Sequence, residues 1–459
     1  MNIEVPETLK ALAEISAFPV YVVGGHVRNL LAGLGSTDVD IAGPAVSSAL
    51  GLPGRYRIDI VNYKLGTAVI RIGGDSYEYT PFRLEKYAPG GGHTPIVSVL
   101  TTDLFKDALR RDFTCNSVYY DIKKGELIDP VGGVADIEKQ LVRARNPKLI
   151  FASDGLRVMR LVRIACQTGF KIEGETAKAA MEAAPLLKDI SAERKREELN
   201  LILTADQKYG VKNAHYRGIK LLHKMGVFPY LIPKVDLMEG VAQNPAYHKY
   251  DVLEHTLQTV RFAPPHLRLA ALLHDIGKPY ALEKTGNMHG HELVSANIAA
   301  YTLGEHGLKY ANKVIDDTVW LVRHHMLDMA GDMRETKLRL FAAQHFDRID
   351  DLAALIKADR MGTGMYDLPP TLRLEAVKRA LTDENAPLKV TDLKIDGSML
   401  ISEGIQAVKI GGILEELWRA CVLEPRLNNE DWLLARIRRY AEEPDEPETD
   451  ARDLAAEGA

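Results

Sequence analysis

The stretch PVYVVGGHVRNLLAGLGSTDVDIA, residues 19–42, decides how the N-terminal part of this chain is read. Pro19-Val20-Tyr21-Val22-Val23 is a compact β-type run that breaks at Gly24-Gly25. Val27 to Leu34 has helical spacing, and Thr37 to Ala42 reads as a second strand. Alternate residues of a strand project to one face, so Asp38 and Asp40 present two carboxylates side by side. Such a pair repels itself unless a cation lies between the two, and hard, oxygen-loving Mg²⁺ suits it. The Gly24-Gly25 turn lets backbone N–H groups approach a triphosphate closely. Arg28, one turn into the helix, is placed to reach a phosphate oxygen.

Working outward, strand-like runs follow at Arg57 to Ile60, Ala68 to Ile72 and Ser76 to Thr80. Glu78, on the last of these, reads either as a third carboxylate or as an ordinary edge-strand residue. Gly90-Gly91-Gly92 between Pro89 and Pro95 marks a flexible loop. Phe113 to Tyr120 opens a helix or helix–strand unit, and Leu127 to Pro130 closes this α/β portion. From Ile137 to about Ile437 apolar residues recur at three- and four-residue spacing, the pattern of helices. From Ala441 the last nineteen positions hold eight acidic residues, one arginine and two prolines, which predicts a disordered tail.

Composition narrows the class. At 459 residues, 46% apolar and 26% charged, the chain reads as an ordinary globular protein of about three domains. Its three scattered cysteines, Cys115, Cys166 and Cys421, argue against a disulfide frame or a zinc cluster. No apolar run is long enough for a bilayer, and MNIEVPETLK lacks a secretion pattern, so a cytoplasmic protein with no membrane partner is expected. The net charge of −5 hides an asymmetry: residues 141–224 carry 17 Lys and Arg against 9 Asp and Glu, a net of +8. A basic middle in an acidic chain fits a phosphate-binding surface, although solvated helix faces would give the same count.

Three further segments bear on the aspartate pair. Arg110-Arg111-Asp112-Phe113-Thr114-Cys115-Asn116-Ser117 places two arginines that would be costly to bury unpaired, so a phosphate or ribose partner is expected. Asp154-Gly155-Leu156-Arg157-Val158-Met159-Arg160-Leu161-Val162-Arg163 sets Asp154 and Arg157 three apart, as on one helix face. Ser191-Ala192-Glu193-Arg194 with Glu197-Glu198-Leu199 follows. Each alone would fit a surface ion-pair network. In this order over residues 20–225 they resemble the nucleotidyltransferase superfamily that includes DNA polymerase β, and more closely the bacterial tRNA nucleotidyltransferase and poly(A) polymerase family.

That resemblance implies a head of α/β class, a polymerase β-like palm with a small mixed sheet, in which Asp38 and Asp40 are catalytic and hold Mg²⁺. It implies nucleotide binding by Gly24, Gly25, Arg28, Arg110, Arg111, Asp154, Arg157, Arg160 and Arg163, with Asp154 and Arg157 choosing CTP and ATP by their edges. The segment at Ser191 would brace that helix. The basic stretch Lys208, Lys212, Arg217, Lys220 and Lys224 would cradle the acceptor arm of tRNA, whose 3′ end is the expected partner. Three positions depart from the family: Asn29 where Asp is usual, Ser153 where Glu is usual, and the Gly-rich loop at Gly90 to Gly92. An amide at position 29 keeps the hydrogen-bonding shape but loses the charge that would hold Arg28.

Nine of fourteen histidines fall between residues 248 and 325. His255, then Leu272-Leu273-His274-Asp275-Ile276-Gly277-Lys278, then His291, His324-His325 and Asp359, form a mixed imidazole–carboxylate set that favours a transition metal. The order resembles the HD phosphohydrolase superfamily. It implies that His255, His274, Asp275 and Asp359 hold a divalent metal such as Mn, Ni, Co, Fe or Zn, with His291 and His324 as further ligands. Lys278 would steady a substrate phosphate.

The expected organisation is a nucleotidyltransferase head (1–135), an all-α neck and RNA-binding body (136–240), an all-α HD domain (241–365), a C-terminal helical region (366–440) and the acidic tail (441–459). The expected activity is addition of CMP and AMP to tRNA 3′ ends, with an associated phosphohydrolase. The alternatives are a poly(A) polymerase, a CC-only or A-only enzyme, and an RNA-binding module in which only the HD site is active.

Overall fold

Val22, Val23, Ile41 and Ala42 lie in the interior because the strands that carry them occupy the middle of a sheet rather than its rim. The structure is a computed structural model that describes residues 3–36, 38–87, 96–364 and 369–442. Thr37, the glycines at 90–92 and the acidic tail beyond residue 442 lie outside the described residues. The strands of the head are β1 (Tyr21–Val23), β2 (Asp40–Gly43), β3 (Arg57–Asn62), β4 (Thr67–Ile72), β5 (Asp75–Pro81), β6 (Arg83–Lys86), β7 (Val97–Leu100), β8 (Tyr119–Asp121) and β9 (Glu126–Ile128). Seven of them form one sheet in the order β3-β4-β5-β2-β1-β8-β9, while β6 and β7 make a separate antiparallel ribbon. Only β2 and β5 pair in parallel within the seven-stranded sheet, so it is mixed.

Four helices accompany the sheet: α1 (Glu7–Ile15), α2 (Gly25–Leu31), α3 (Leu104–Arg110) and α4 (Gly133–Glu138). Leu9, Leu12 and Ala13 give α1 its buried stripe at three- and four-residue spacing. Val23, Ala42, Phe82, Ala108 and Tyr119 pack as one core cluster beneath α3, with Phe82 and Tyr119 edge to face at 5.9 Å between ring centres.

The neck begins with β10 (Leu141–Val142), which pairs in parallel with β11 (Lys171–Ile172). Its helices are α5 (Pro147–Ser153), α6 (Arg157–Thr168), α7 (Gly174–Ala183), α8 (Ala192–Leu203), α9 (Ala205–Tyr209) and α10 (Ala214–Lys224). The hub is α6, whose Val158, Met159, Leu161, Val162, Ile164, Ala165 and Cys166 are all buried. Gly218 of α10 permits close approach: a Cβ there would lie 2.6 Å from Ile202 and 3.2 Å from Cys166 Sγ. The expected continuous helix over residues 154–163 is interrupted. Asp154 is extended at φ −157° and ψ 109°, and α6 starts at Arg157, so the two share no helix face.

Beyond the neck lie α11 (Phe228–Leu231), α12 (Val252–Phe262), α13 (Arg268–Leu273), α14 (Lys278–Thr285), α15 (His291–Leu303), α16 (Asn312–His324), α17 (Glu335–Gln344), α18 (Ile349–Gly362), α19 (Pro369–Asp383), α20 (Gly397–Ser402), α21 (Ala407–Leu423) and α22 (Glu430–Glu442). The chain divides into two compact units, Met1–Arg323 with Ala358–Met365, and His324–Lys357 with Tyr366–Ala459. In the second, α17 packs on α19 and α21, and Trp418 Nε1 donates to the Pro387 carbonyl at 3.0 Å. Among the described residues no helix is long and apolar enough to cross a membrane.

Candidate active sites

The turn at Gly24-Gly25 ends β1 and starts α2, with Gly24 at φ +86°, a backbone conformation that favours glycine. A Cβ on Gly24 would lie 3.5 Å from Asp40 Oδ2, and one on Gly25 would lie 3.5 Å from Arg28 Nη2. The turn is therefore flanked by a carboxylate on one side and a guanidinium on the other. Strand β2 begins at Asp40, so Asp38 precedes the strand instead of sharing it, yet both aspartates line one cavity of about 700 Å³. Gly25, Arg28, Asn29 and Asn116 of the head line that cavity, and Arg160, Arg163, Lys208 and Tyr209 of the neck complete it.

Glu78 does not lie on an edge strand. Its strand β5 sits between β4 and β2, and Glu78 is the register partner of Asp40. Paired residues of neighbouring strands share a face, while Tyr77 and Tyr79 point to the other and are buried. Burial pushes the Asp40 carboxyl up to about 6, and Glu78 and Asp38 add to the shift against the opposing pull of Arg111 and Arg160. Three carboxylates gathered at one place match the donor set of a divalent cation.

Arg28 is 5% exposed and Asn29 is 1% exposed. Asn29 Oδ1 accepts from Arg28 Nε at 3.0 Å and from Nη2 at 2.8 Å, so the amide holds the guanidinium without a charge. Asn116 Oδ1 accepts from Arg28 Nη1 at 2.6 Å. Its Nδ2 donates to Asp112 Oδ1 at 3.0 Å, and Asp112 Oδ2 accepts from Arg160 at 3.0 and 2.7 Å. Burial opposes ionisation of Asp112, but Arg160 and Arg157 hold it well below the usual carboxylate range.

Arg110 and Arg111, for which a phosphate or ribose partner is expected, also have a partner within the protein. Asp107, fully buried, accepts from Arg110 Nε at 2.7 Å, from Arg111 Nη2 at 3.1 Å and from the Tyr119 hydroxyl at 2.7 Å. Nothing in the sequence singled out Asp107; its place at i−3 and i−4 from the two arginines was the available signal. Arg110 lines a second, mostly apolar cavity of about 530 Å³ with Glu85, Tyr87, Ser153 and Arg157. Asp154 accepts from Arg194 at 2.7 and 3.3 Å. Arg157 donates to Ser153 Oγ at 2.7 Å and to the carbonyls of Ile150 and Arg110. Arg163 donates to Glu198 at 2.7 Å, which ties α6 to α8. In the basic stretch, Arg217 donates to the Phe170 carbonyl, and Lys220 pairs with Glu254 at 3.1 Å.

The histidine cluster assembles in the first unit. His255 of α12 and His274 bring their Nε2 atoms to 3.2 Å, and both lie 3.2 Å from Asp275 Oδ2. Asp359 Oδ1 is 3.0 Å from His255 and 3.6 Å from His274, and His291 Nε2 is 3.0 Å from Asp275 Oδ1. Nδ1 of His274 bonds the Ala271 carbonyl and Nδ1 of His291 bonds that of Met288, each at 2.8 Å, so each Nε2 is left facing the cluster as a metal ligand would be. Burial favours the neutral His274 ring, but Asp275 and Asp359 outweigh it and push the ring up to about 10. Imidazoles and carboxylates packed this closely are the donor set of a divalent metal. Lys278 Nζ lies 2.6 Å from Asp275 and 2.7 Å from Gln243 Oε1. His324 belongs to the second unit, where its ring centre is 5.4 Å from that of Phe341 and 6.0 Å from that of His345.

Three family profiles match the chain: the poly(A) polymerase head domain over residues 20–143, the probable RNA and SrmB-binding site of polymerase A over 169–238, and the HD domain over 248–380. A CC-adding tRNA nucleotidyltransferase of Thermus thermophilus is 30% identical over 364 residues, 76% of each chain. A CCA-adding enzyme of Bacillus pumilus is 38% identical over 187 residues, 40% of this chain and 46% of the relative. The chain thus spans about half the length of the curated CCA-adding relatives it matches first. Among solved structures, the Bacillus stearothermophilus CCA-adding enzyme in complex with CTP superposes with a TM-score of 0.66 at 25% identity, covering 96% of this chain and 100% of that one.

Proposed function

The chain belongs to the bacterial tRNA nucleotidyltransferase family, and from that premise we propose that it adds CMP and AMP, taken from CTP and ATP, to the 3′ end of tRNA. The observation that carries this reading is the cavity lined by Gly25, Asp38 and Asp40 of the head together with Arg160, Arg163 and Lys208 of the neck. Asp38, Asp40 and Glu78 would hold Mg²⁺, which when bound activates the attacking 3′ hydroxyl and neutralises charge on the leaving pyrophosphate. The turn and Arg28 bind the triphosphate, with hydrogens on Nη1 and Nη2 left over from the bonds to Asn116 and Asn29. Asp154 and Arg157 select the base: Arg194 and the Leu156 N–H occupy part of the acceptor capacity of Asp154, and Ser153 fixes the Arg157 fork. Arg110 and Arg111 act from behind, as charges anchored on Asp107. Lys208, Lys212 and Lys224, all exposed, carry the RNA contact. The reaction is a step of tRNA maturation and repair, and a cytoplasmic enzyme is the reading that goes with it.

The HD cluster supports a phosphohydrolase acting on phosphate esters such as RNA ends. His255, His274, Asp275 and Asp359, with His291, would hold the metal, and Lys278 steadies a phosphate. A second reading of the transferase, addition of CC alone or of A alone, is favoured by one observation: the Thermus CC-adding relative aligns over 76% of the chain and an A-adding relative of Deinococcus radiodurans over 92%, whereas the Bacillus pumilus CCA-adding relative aligns over 40%. The test offers purified protein tRNAs lacking one, two or three terminal nucleotides, with CTP and ATP singly and together, and sizes the products. On the tRNA lacking three nucleotides, growth by three supports the first reading and growth by two supports CC alone; growth confined to the tRNA lacking one supports A alone. No growth removes both.

A further inference from the structure

Tyr209 is the last residue of α9, in the neck, and its ring lines the cavity that holds Asp38 and Asp40. Its hydroxyl accepts from Asn29 Nδ2 at 2.7 Å. Asn29 is nearly inaccessible to water, and its other amide atom is committed: Oδ1 faces two Arg28 N–H groups and must be the acceptor. The orientation of the amide is therefore fixed, and Nδ2 needs an acceptor. Tyr209 supplies it from 180 residues away. The bonds continue from Arg28 through Asn116 and Asp112 to Arg160, which lies on α6. A chain of polar contacts thus joins head to neck at two points, Tyr209 and Arg160, and Arg28, beside the glycine turn, is the member placed to meet a phosphate.

The geometry points to Tyr209 as a positioning residue: acting through Asn29, it sets the guanidinium of Arg28 for the triphosphate of the incoming nucleotide. This rests on the transferase reading above. Loss of the hydroxyl leaves Nδ2 as a buried donor without a partner, and the amide rotates or shifts to find one. Either motion turns Oδ1 away from Arg28. A carboxylate at position 29 has no such donor and grips Arg28 by charge, so it needs no hydroxyl on residue 209.

Steady-state kinetics with CTP and a tRNA lacking its terminal nucleotides test this, with equilibrium binding of Mg²⁺–CTP measured alongside. Y209F is expected to raise the KM for CTP and weaken CTP binding by about tenfold, to leave the KM for RNA unchanged and to change kcat less than twofold. The double variant N29D/Y209F is expected to recover most of the lost affinity. A purely structural tyrosine would lower the melting temperature, disturb kcat and RNA binding together, and show no recovery with Asp. Unchanged CTP affinity in Y209F, or a double variant no better than the single one, overturns the inference. If the unmodified protein neither binds CTP nor extends RNA, the transferase reading itself has failed.

Discussion

Glu78 shows how one register decides a residue's role. It faces Asp40 across a parallel pair, which puts a third carboxylate beside the proposed cation site. Glu78→Gln removes charge without changing shape, and nucleotide addition at limiting Mg²⁺ should fall by about 10–100-fold, the range usual for residues that support a metal site. Excess Mg²⁺ should restore part of the loss; a rate indifferent to the substitution would return Glu78 to the scaffold. Asp107 is the opposite case, a carboxylate that works by holding two arginines. Its replacement by Asn removes the charge that Arg110 and Arg111 share, which costs about 3 kcal/mol, the lower end for a broken buried pair because both arginines retain some exposure and Arg110 keeps Glu85 at 3.7 Å. Urea unfolding followed in the head measures it. The sequence left Glu78 between two readings and did not single out Asp107. Spacing reports which residues share a face of an element, whereas these roles come from which strand lies beside which and from burial.

Among the elements, α9 does the most in the fewest residues. Five residues long, it carries Asp206, which accepts from Arg268 of α13 at 2.6 and 2.8 Å, and Tyr209, which reaches the head. His215 of α10 lies 3.3 Å from Asp206 and is buried, and burial followed by the charge of Arg268 keeps its ring below the ordinary value of 6.5, outweighing Asp206. A fold that prefers the neutral ring is at full strength above pH 6.5 and loses stability as the pH falls from there through the folded-state value. The melting temperature should therefore drop between pH 7.5 and 5.5, and drop less in His215→Gln, which cannot take up the proton; equal drops would show that His215 is not responsible. The neck reads as helical from the sequence, with one helix over residues 154–163, whereas α5 ends at Ser153 and α6 starts only at Arg157. Gly155 sits at the break, and a Cβ there would lie 2.9–3.0 Å from Leu186, so the chain passes that neighbour too closely for a side chain. A lone glycine inside helical spacing was the available hint.

At the scale of the whole molecule, two metal-type sites in one chain should respond separately. Mn²⁺ or Ni²⁺ at 100 times its dissociation constant should stabilise the fold by about 2.7 kcal/mol through the histidine cluster. His274→Ala should abolish that gain in melting temperature while nucleotide addition with Mg²⁺ continues; a gain that survives the substitution would place the metal elsewhere. Much of this plan was legible because both sites announce themselves in short runs, Gly24-Gly25 with Asp38 and Asp40, and His274-Asp275. The tie between Asn29 and Tyr209 was not, since it spans 180 positions and leaves no local trace.

The seat of β1 between β2 and β8 bears on synthesis. Tyr21 finds its partner Ala42 soon after translation, but Asp121, its partner on the other side, leaves the ribosome only after β2 to β7 have been made. Until then one margin of the nascent sheet offers bare N–H and C=O groups, a template for any passing chain. Polypeptides stalled or clipped before residue 119 should clump through that margin, and those that extend past residue 128 should stay dispersed.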